Sequence, residues 1–244
     1  MAVVGSDIWS QELQVHWPQS WKFVTNRDVL LERFAPTIFN VTDDAIFIRF
    51  GEDQDLRVSQ LGMHIRILSH DSMDERIAEV LDRVLRIVEP ARLESLDAFF
   101  SHVRPFDMDY GEARRQLSRV FYGSWIEQRP VRDFALYWDE EVSPDLAAHF
   151  QFGVVDEDEL IERVADASGT KRDVLRRRTP AWMKVRMPRV ALFMKSSYSS
   201  RQGISVDVGR VQVPQAWRQW RERSDQLFSS LSELAAPVQR GKVL

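Results

Sequence analysis

Apolar residues along this 244-residue chain alternate with polar ones in some stretches and recur every three or four residues in others. Those two periods separate strands from helices. Alternation and β-branched or aromatic content predict short strands over 12–17 (ELQVHW), 21–25 (WKFVT) and 45–50 (AIFIRF), with turns at Pro18-Gln19-Ser20 and Asn26-Arg27-Asp28. Residues 29–34 fit either a strand or a helical turn. Gly51 to Asp55 reads as a polar hairpin loop. Residues 56–68 alternate again, and their apolar positions change parity at Gly62, which predicts a bulge there.

Helical spacing first appears over 73–88, where Met73, Ile77, Val80, Leu81, Val84 and Val88 form one stripe behind the capping sequence Ser72-Met73-Asp74-Glu75. Pro90 stops it. A strand is predicted over 93–103 and a helix over 110–122, capped by Asp109 and ended by Gly123. Strands at 131–138 and 148–155 flank the acidic turn Asp139-Glu140-Glu141. An acidic helix start at Asp156 runs to about Ala167, and a short helix follows through Arg178. The remaining expectations are strands over 182–187, 190–198 and 204–213, then a helix over 214–235 opened by Pro214.

Strand pairs followed by helices predict an α+β fold of mostly antiparallel sheet with helices packed on one face. Regular βαβ alternation is absent, which argues against a doubly wound fold. The chain reads as a single globular domain, 1–244, or as two lobes, 1–123 and 131–236, divided near 124–130.

Composition narrows the chemistry. Cysteine is absent, which excludes disulfides, thiolate nucleophiles and Cys-ligated zinc. The longest uninterrupted apolar run, Val190 to Met194, is far short of a helical membrane span. With no secretory pattern in the first residues either, the expectation is a cytoplasmic protein with no membrane partner. The eight tryptophans read as core payload. The sequence contains neither GxxxxGK[ST] nor GxGxxG, and no nucleophile elbow. No cofactor is therefore expected, and the chain leans away from being an enzyme.

The histidines, His16, His64, His70, His102 and His149, form no metal-binding spacing, so no metal is expected, although His64 and His70 could share a sheet end. His102, Arg104, Asp107, Asp109 and Tyr110 lie on a strand-to-helix connection, where a histidine beside carboxylates could do acid–base work. The bland reading makes Asp109 a helix cap and His102 a strand residue. That cluster carries the enzyme alternative.

Charge supplies the sharpest feature. The formal net charge is −4, yet residues 1–170 hold 17 Lys or Arg against 32 Asp or Glu, and residues 171–223 hold 14 against three. The segment Lys171–Arg201 alone has ten cations and one acid. Such polarisation serves an anionic ligand, head-to-tail association, or internal pairing of the two parts. On a strand over 182–187, Trp182, Lys184 and Arg186 would share one face, preceded by Arg176, Arg177 and Arg178 and followed by Arg189. An aromatic-plus-cationic face can stack bases and neutralise phosphates, and arginine forks also fit carboxylates. If four to six of these cations met phosphates, log affinity would fall against log salt with a slope of about −3.5 to −5.5. The acidic remainder opposes general nucleic-acid binding. The leading expectation is a non-enzymatic accessory protein that engages an anionic protein partner, another copy of itself included, through Arg176, Arg177, Arg178, Trp182, Lys184, Arg186 and Arg189. Nucleic-acid binding by the same face is the alternative.

The last helix adds a second candidate, since Trp217 and Trp220 lie three apart beside Arg218, Arg221 and Arg223. A core-packing amphipathic helix explains the same pattern.

Overall fold

Alternating strands dominate the centre of the molecule because nearly every β segment has one apolar face to bury. A computed structural model describes residues 7–35, 38–51, 53–69, 73–123, 133–165, 181–201 and 203–236. Its strands are β1 (Ile8–His16), β2 (Ile38–Val41), β3 (Ala45–Arg49), β4 (Gln54–Ser59), β5 (Gly62–Ile67), β6 (Ser95–Pro105), β7 (Ala135–Ser143), β8 (Leu146–Asp156) and β9 (Val190–Ser200). All pair antiparallel in one sheet, in the order β2-β3-β4-β5-β1-β6-β9-β8-β7. The expected α+β architecture with an antiparallel sheet is what the chain adopts.

Seven helices are described: α1 (Trp21–Thr25), α2 (Arg27–Phe34), α3 (Asp74–Val88), α4 (Tyr110–Tyr122), α5 (Glu157–Ala165), α6 (Ala181–Arg186) and α7 (Val206–Ala235). Five of them cover one face. Ile46, Ile48, Leu56, Val58, Met63, Ile65 and Ile67 project there from β3, β4 and β5 and meet α3, with Phe23 of α1 and with Leu30 and Phe34 of α2 beyond it. Farther along the same face, Phe152, Val154, Leu192 and Met194 meet Ala113 and Leu117 of α4 and Phe228 of α7. The two short helices α5 and α6 pack on the reverse face at one end, around Trp9, Val103, Val155, Ala191 and Phe193.

Helix α7 ties the two ends of the covered face together. Trp217 is fully buried against Phe100, and Tyr198 stacks on Trp220 with rings 5.5 Å apart and 4° from parallel. Ser224 receives hydrogen bonds at 2.8 Å from Ser196 and 3.0 Å from Tyr198, and itself donates to the Trp220 carbonyl. Burial pushes the Tyr198 phenol above its usual range.

Local expectations fail where short-range alternation competes with tertiary packing. Residues 21–25 form α1 rather than a strand, because only Phe23 turns inward while Trp21 and Val24 remain exposed. The parity change at Gly62 marks a hairpin, not a bulge: Ser59 pairs with Gly62 across the turn Gln60-Leu61. The acidic Asp139-Glu140-Glu141 is no turn but lies within β7, whose hairpin closes after Ser143. An edge strand has one side free for such charges.

The predicted strand over 182–187 is α6, which follows Pro180 in sequence, a residue that suits a helix start. The predicted strand over 204–213 is the first part of α7. Ser205 caps it by accepting from Val208 N, and Gly209 sits where a Cβ would fall 2.4 Å from Leu93 Cδ1. Pro214 lies inside this helix rather than at its start. Ser72 and the short helix expected before Thr179 lie outside the described residues.

A Cβ on Gly62 would fall 2.5 Å from the carbonyl oxygen of Val15 in the neighbouring strand. Gly62→Ala should therefore lower the unfolding free energy by about 2 kcal/mol, read as a lower urea midpoint with an unchanged slope. An unshifted midpoint would show that the hairpin can move away from β1 at no cost.

Candidate functional site

Helix formation rearranges the cationic face expected from the sequence. Residues on a helix advance about 100° each, so Trp182 and Arg186 share a side while Lys184 points elsewhere. The row of Trp182, Lys184 and Arg186 on one strand face does not exist. Trp182 packs edge-on against Trp9 at 5.6 Å, and Met183 is buried beneath the helix. These two side chains anchor α6 to the sheet. Lys184, Val185 and Arg186 face solvent, Val185 being 86% exposed. Arg189, also exposed, borders an open depression with Asp107, Asp109 and Glu112. Arg176, Arg177 and Arg178 lie outside the described residues.

Ion pairing separates the two basic portions of the chain. Helix α7 spends its arginines internally. Arg210 bonds Asp82 of α3, Arg223 bonds Glu140 of β7, and Arg221 reaches Asp74 at 3.0 Å and Asp225 at 2.8 Å. Arg218 lies 3.6 Å from Asp74. Hydrogen bonding from Arg86 leads the causes that hold Asp82 below the usual carboxylate range, and Arg210 adds to it against the opposing effect of burial. Among the described residues, by contrast, no carboxylate lies within ion-pair distance of Lys184, Arg186 or Arg189. Internal neutralisation accounts for the cations of α7, while among the described residues those of α6 have no carboxylate partner.

The Trp/Arg candidate on the last helix resolves as core. Trp217 and Trp220 are buried, and Trp217 Nε1 donates to Asp74 at 3.2 Å. The sequence pattern that marks an interface hot spot also marks a helix whose long side chains bridge to neighbours.

His102 belongs to this same network. It is 1% exposed, lies tilted against Phe228 with ring centres 5.3 Å apart, and its Nε2 meets Asp225 Oδ1 at 2.8 Å. Asp107 and Asp109 are exposed at the depression beyond the end of β6, so the structure does not bring them to His102. Asp109 accepts from Gly111 N as the cap of α4. Tyr110 donates to Asp133 at 3.2 Å, and burial together with the Asp133 charge pushes its phenol up to about 12, so it stays protonated. The true partner of His102 is 123 residues away in sequence, where no local spacing could reveal it.

The reverse face of the sheet is the polar feature that sequence reading missed. Register aligns its side chains into rows. One row runs Arg49, Asp55, Arg66, Glu12, Phe99, Ser197, His149 and Asp139 across eight strands. Glu12 is buried and accepts from His64 at 3.1 Å, while Arg66 stands 3.5 Å away. His64 is thus engaged by a carboxylate, and His70 lies outside the described residues. In the next row Asp97 accepts from Ser199 and lies 3.5 Å from His16. Burial pushes the Asp97 carboxyl up, but those two partners outweigh it and hold the group below its usual range. Period-two polarity in β1, β5 and β6 was the available signal, since His16, Glu12, His64, Arg66, Asp97 and Phe99 all occupy alternate positions.

Removing Asp225 would strip the acceptor from a buried imidazole and from Arg221, itself only 15% exposed. Asp225→Ala should cost about 2–4 kcal/mol in denaturant unfolding, with Asp225→Asn recovering part of it. Equal stability of the alanine variant would remove the network from the account of the fold.

Asp97 predicts a pH signature. A depressed folded value means its contribution is present above the unfolded value of about 3.9 and is lost as pH falls below that through the folded value. The melting-temperature gap between wild type and Asp97→Asn should be open at neutral pH and should close in strong acid.

No helix among the described residues is long and apolar enough to cross a membrane. Compared with models of known protein families and with curated proteins, the chain matched none.

Proposed function

We propose that this is a non-enzymatic binding or accessory protein that engages an anionic protein surface through α6 and the basic residues around it. One observation carries the reading: Lys184 and Arg186 are exposed and unpaired among the described residues on a helix pinned by Trp182 and Met183, while the arginines of α7 are neutralised internally. A pinned helix spares the cost of ordering the backbone on capture, leaving the rotamer freedom of the two side chains to be offset by charge attraction, and unpaired cations add electrostatic steering. Val185 between them offers apolar contact at the same spot.

A protein partner suits this surface better than a nucleic acid does. Base stacking needs an available aromatic ring beside the cations, and Trp182 is committed to Trp9. A second copy of the chain is a suitable partner, because the β7–β8 hairpin displays Glu141 at the far edge of the sheet. Residues 1–170 as a whole are strongly acidic.

The test combines sedimentation velocity at graded salt with anisotropy titrations of labelled poly-glutamate and a labelled single-stranded oligonucleotide. Salt-weakened self-association or poly-glutamate binding is expected. Lys184→Glu with Arg186→Glu should abolish either one, and Arg115→Glu on α4 should leave it unchanged. Capture of the oligonucleotide alone, with a steep salt slope, would replace the protein partner by a nucleic acid. Undiminished association of the double variant would discard α6 as the contact surface.

A further inference from the structure

The reverse face of the sheet also holds a small concavity on β3, β4 and β5. Strands β3, β4 and β5 supply Phe47, Asp55, Arg57, His64 and Arg66 to a pocket of about 200 Å³. Two adjacent register rows build it: Phe47 opposite Arg57 and Arg57 opposite His64, then Asp55 opposite Arg66. Regular antiparallel pairing fixes these positions, so the site sits on strands rather than on loops.

Its acids are already engaged. Asp55 accepts from Arg49 at 2.8 Å, and Glu12 is shared by His64 and Arg66. Its cations are not fully satisfied. Arg66 Nε is buried with no hydrogen-bond partner, because its 3.5 Å approach to Glu12 gives charge attraction without donor alignment. Arg66 Nη2 spends itself weakly on the Val164 carbonyl at 3.4 Å. The Arg57 guanidinium lies 5.7 Å from the centre of the Phe47 ring, and no carboxylate among the described residues is within ion-pair reach of it. Arg49, Arg57 and Arg66 against Asp55 and Glu12 leave a net positive charge.

We propose that this pocket binds a small organic anion, its oxyanion group held by Arg57 beside Arg66 and His64 and its planar body laid against Phe47. An arginine fork matches a carboxylate or a phosphate with two parallel hydrogen bonds. Phe47 is half-buried with Arg57 over part of its ring, so the ligand's planar body meets the remaining exposed part beside the guanidinium. A volume of this size is filled by a single substituted ring. The site is independent of the α6 surface, and neither stands on the other.

Calorimetric titration of the full-length chain at low salt with phenyl phosphate, benzoate and inorganic phosphate tests it. Saturable binding of phenyl phosphate or benzoate is expected, weakened at least about tenfold by Arg57→Ala and nearly as much by Arg57→Lys, which keeps the charge but loses the fork. Which of the two ligands binds more tightly identifies the acid group. Arg57 is exposed and leaves no carboxylate unpaired, so both variants should melt with wild type. Phe47→Leu provides a check that does not depend on Arg57, and it should weaken the aryl ligands alone. Three results overturn the proposal: no saturable binding of either aryl anion up to about 10 mM, affinity unchanged in Arg57→Ala, or inorganic phosphate bound as tightly as phenyl phosphate.

Discussion

Burial of α7 across the covered face of the sheet is the interaction on which the rest of the structure depends. It places Trp217 and Phe228 against strands that lie far apart in sequence, and it needs an electrostatic fit as well as an apolar one. Arg221, 15% exposed, cannot lie there without partners, and Asp74 from α3 and Asp225 from its own next turn supply them. Asp225 in turn receives His102 from the middle of the sheet. Leaving any member of this chain unpaired would strand a charge or an imidazole away from water. The network therefore fixes the lateral position of α7, while the aromatic stacking supplies the burial.

That arrangement changes the meaning of the charge polarity in the sequence. A basic C-terminal portion in an acidic chain looks like one surface when charges are only counted. Folding divides it in two. The arginines of α7 complete the core edge with acids from α3, β7 and α7 itself, whereas the cations of α6 remain outward. Among the described residues the second group has no ion pair, and its helix is held in place by contacts of Trp182 and Met183.

The sheet also has two chemically different faces. One is closed by five helices. The other carries rows of polar side chains, with α5 and α6 packed on part of it and the Arg57 pocket on β3, β4 and β5, linked to α5 through Arg66. Glu12 is the hinge of that arrangement, being buried among its cationic neighbours on the central strand β1. Polar residues at alternate strand positions appear unremarkable singly, yet register across the sheet aligns them into a surface.

Sequence alone determined the α+β class and the antiparallel habit. It also located β6, β8, β9, α3, α4 and α5 closely, because each has a long periodic stretch ended by a proline, glycine or cap. Short segments escaped it. In 21–25, 182–187 and 204–213, five to ten residues with alternating apolar positions satisfy a strand and a helix turn almost equally. Packing chose the helix through single contacts such as Phe23, Met183, and the fit of Gly209 against Leu93. Of the candidate site, the exposed cations Lys184, Arg186 and Arg189 were legible as composition, but their spatial grouping was not. The partnership of His102 with Asp225 and the clustering of Arg57 with Arg66 and His64 were decided by the tertiary structure alone. Both depend on strand register and helix docking; local spacing puts His64 and Arg66 on one strand face but shows neither Arg57 beside them nor Asp225 beside His102.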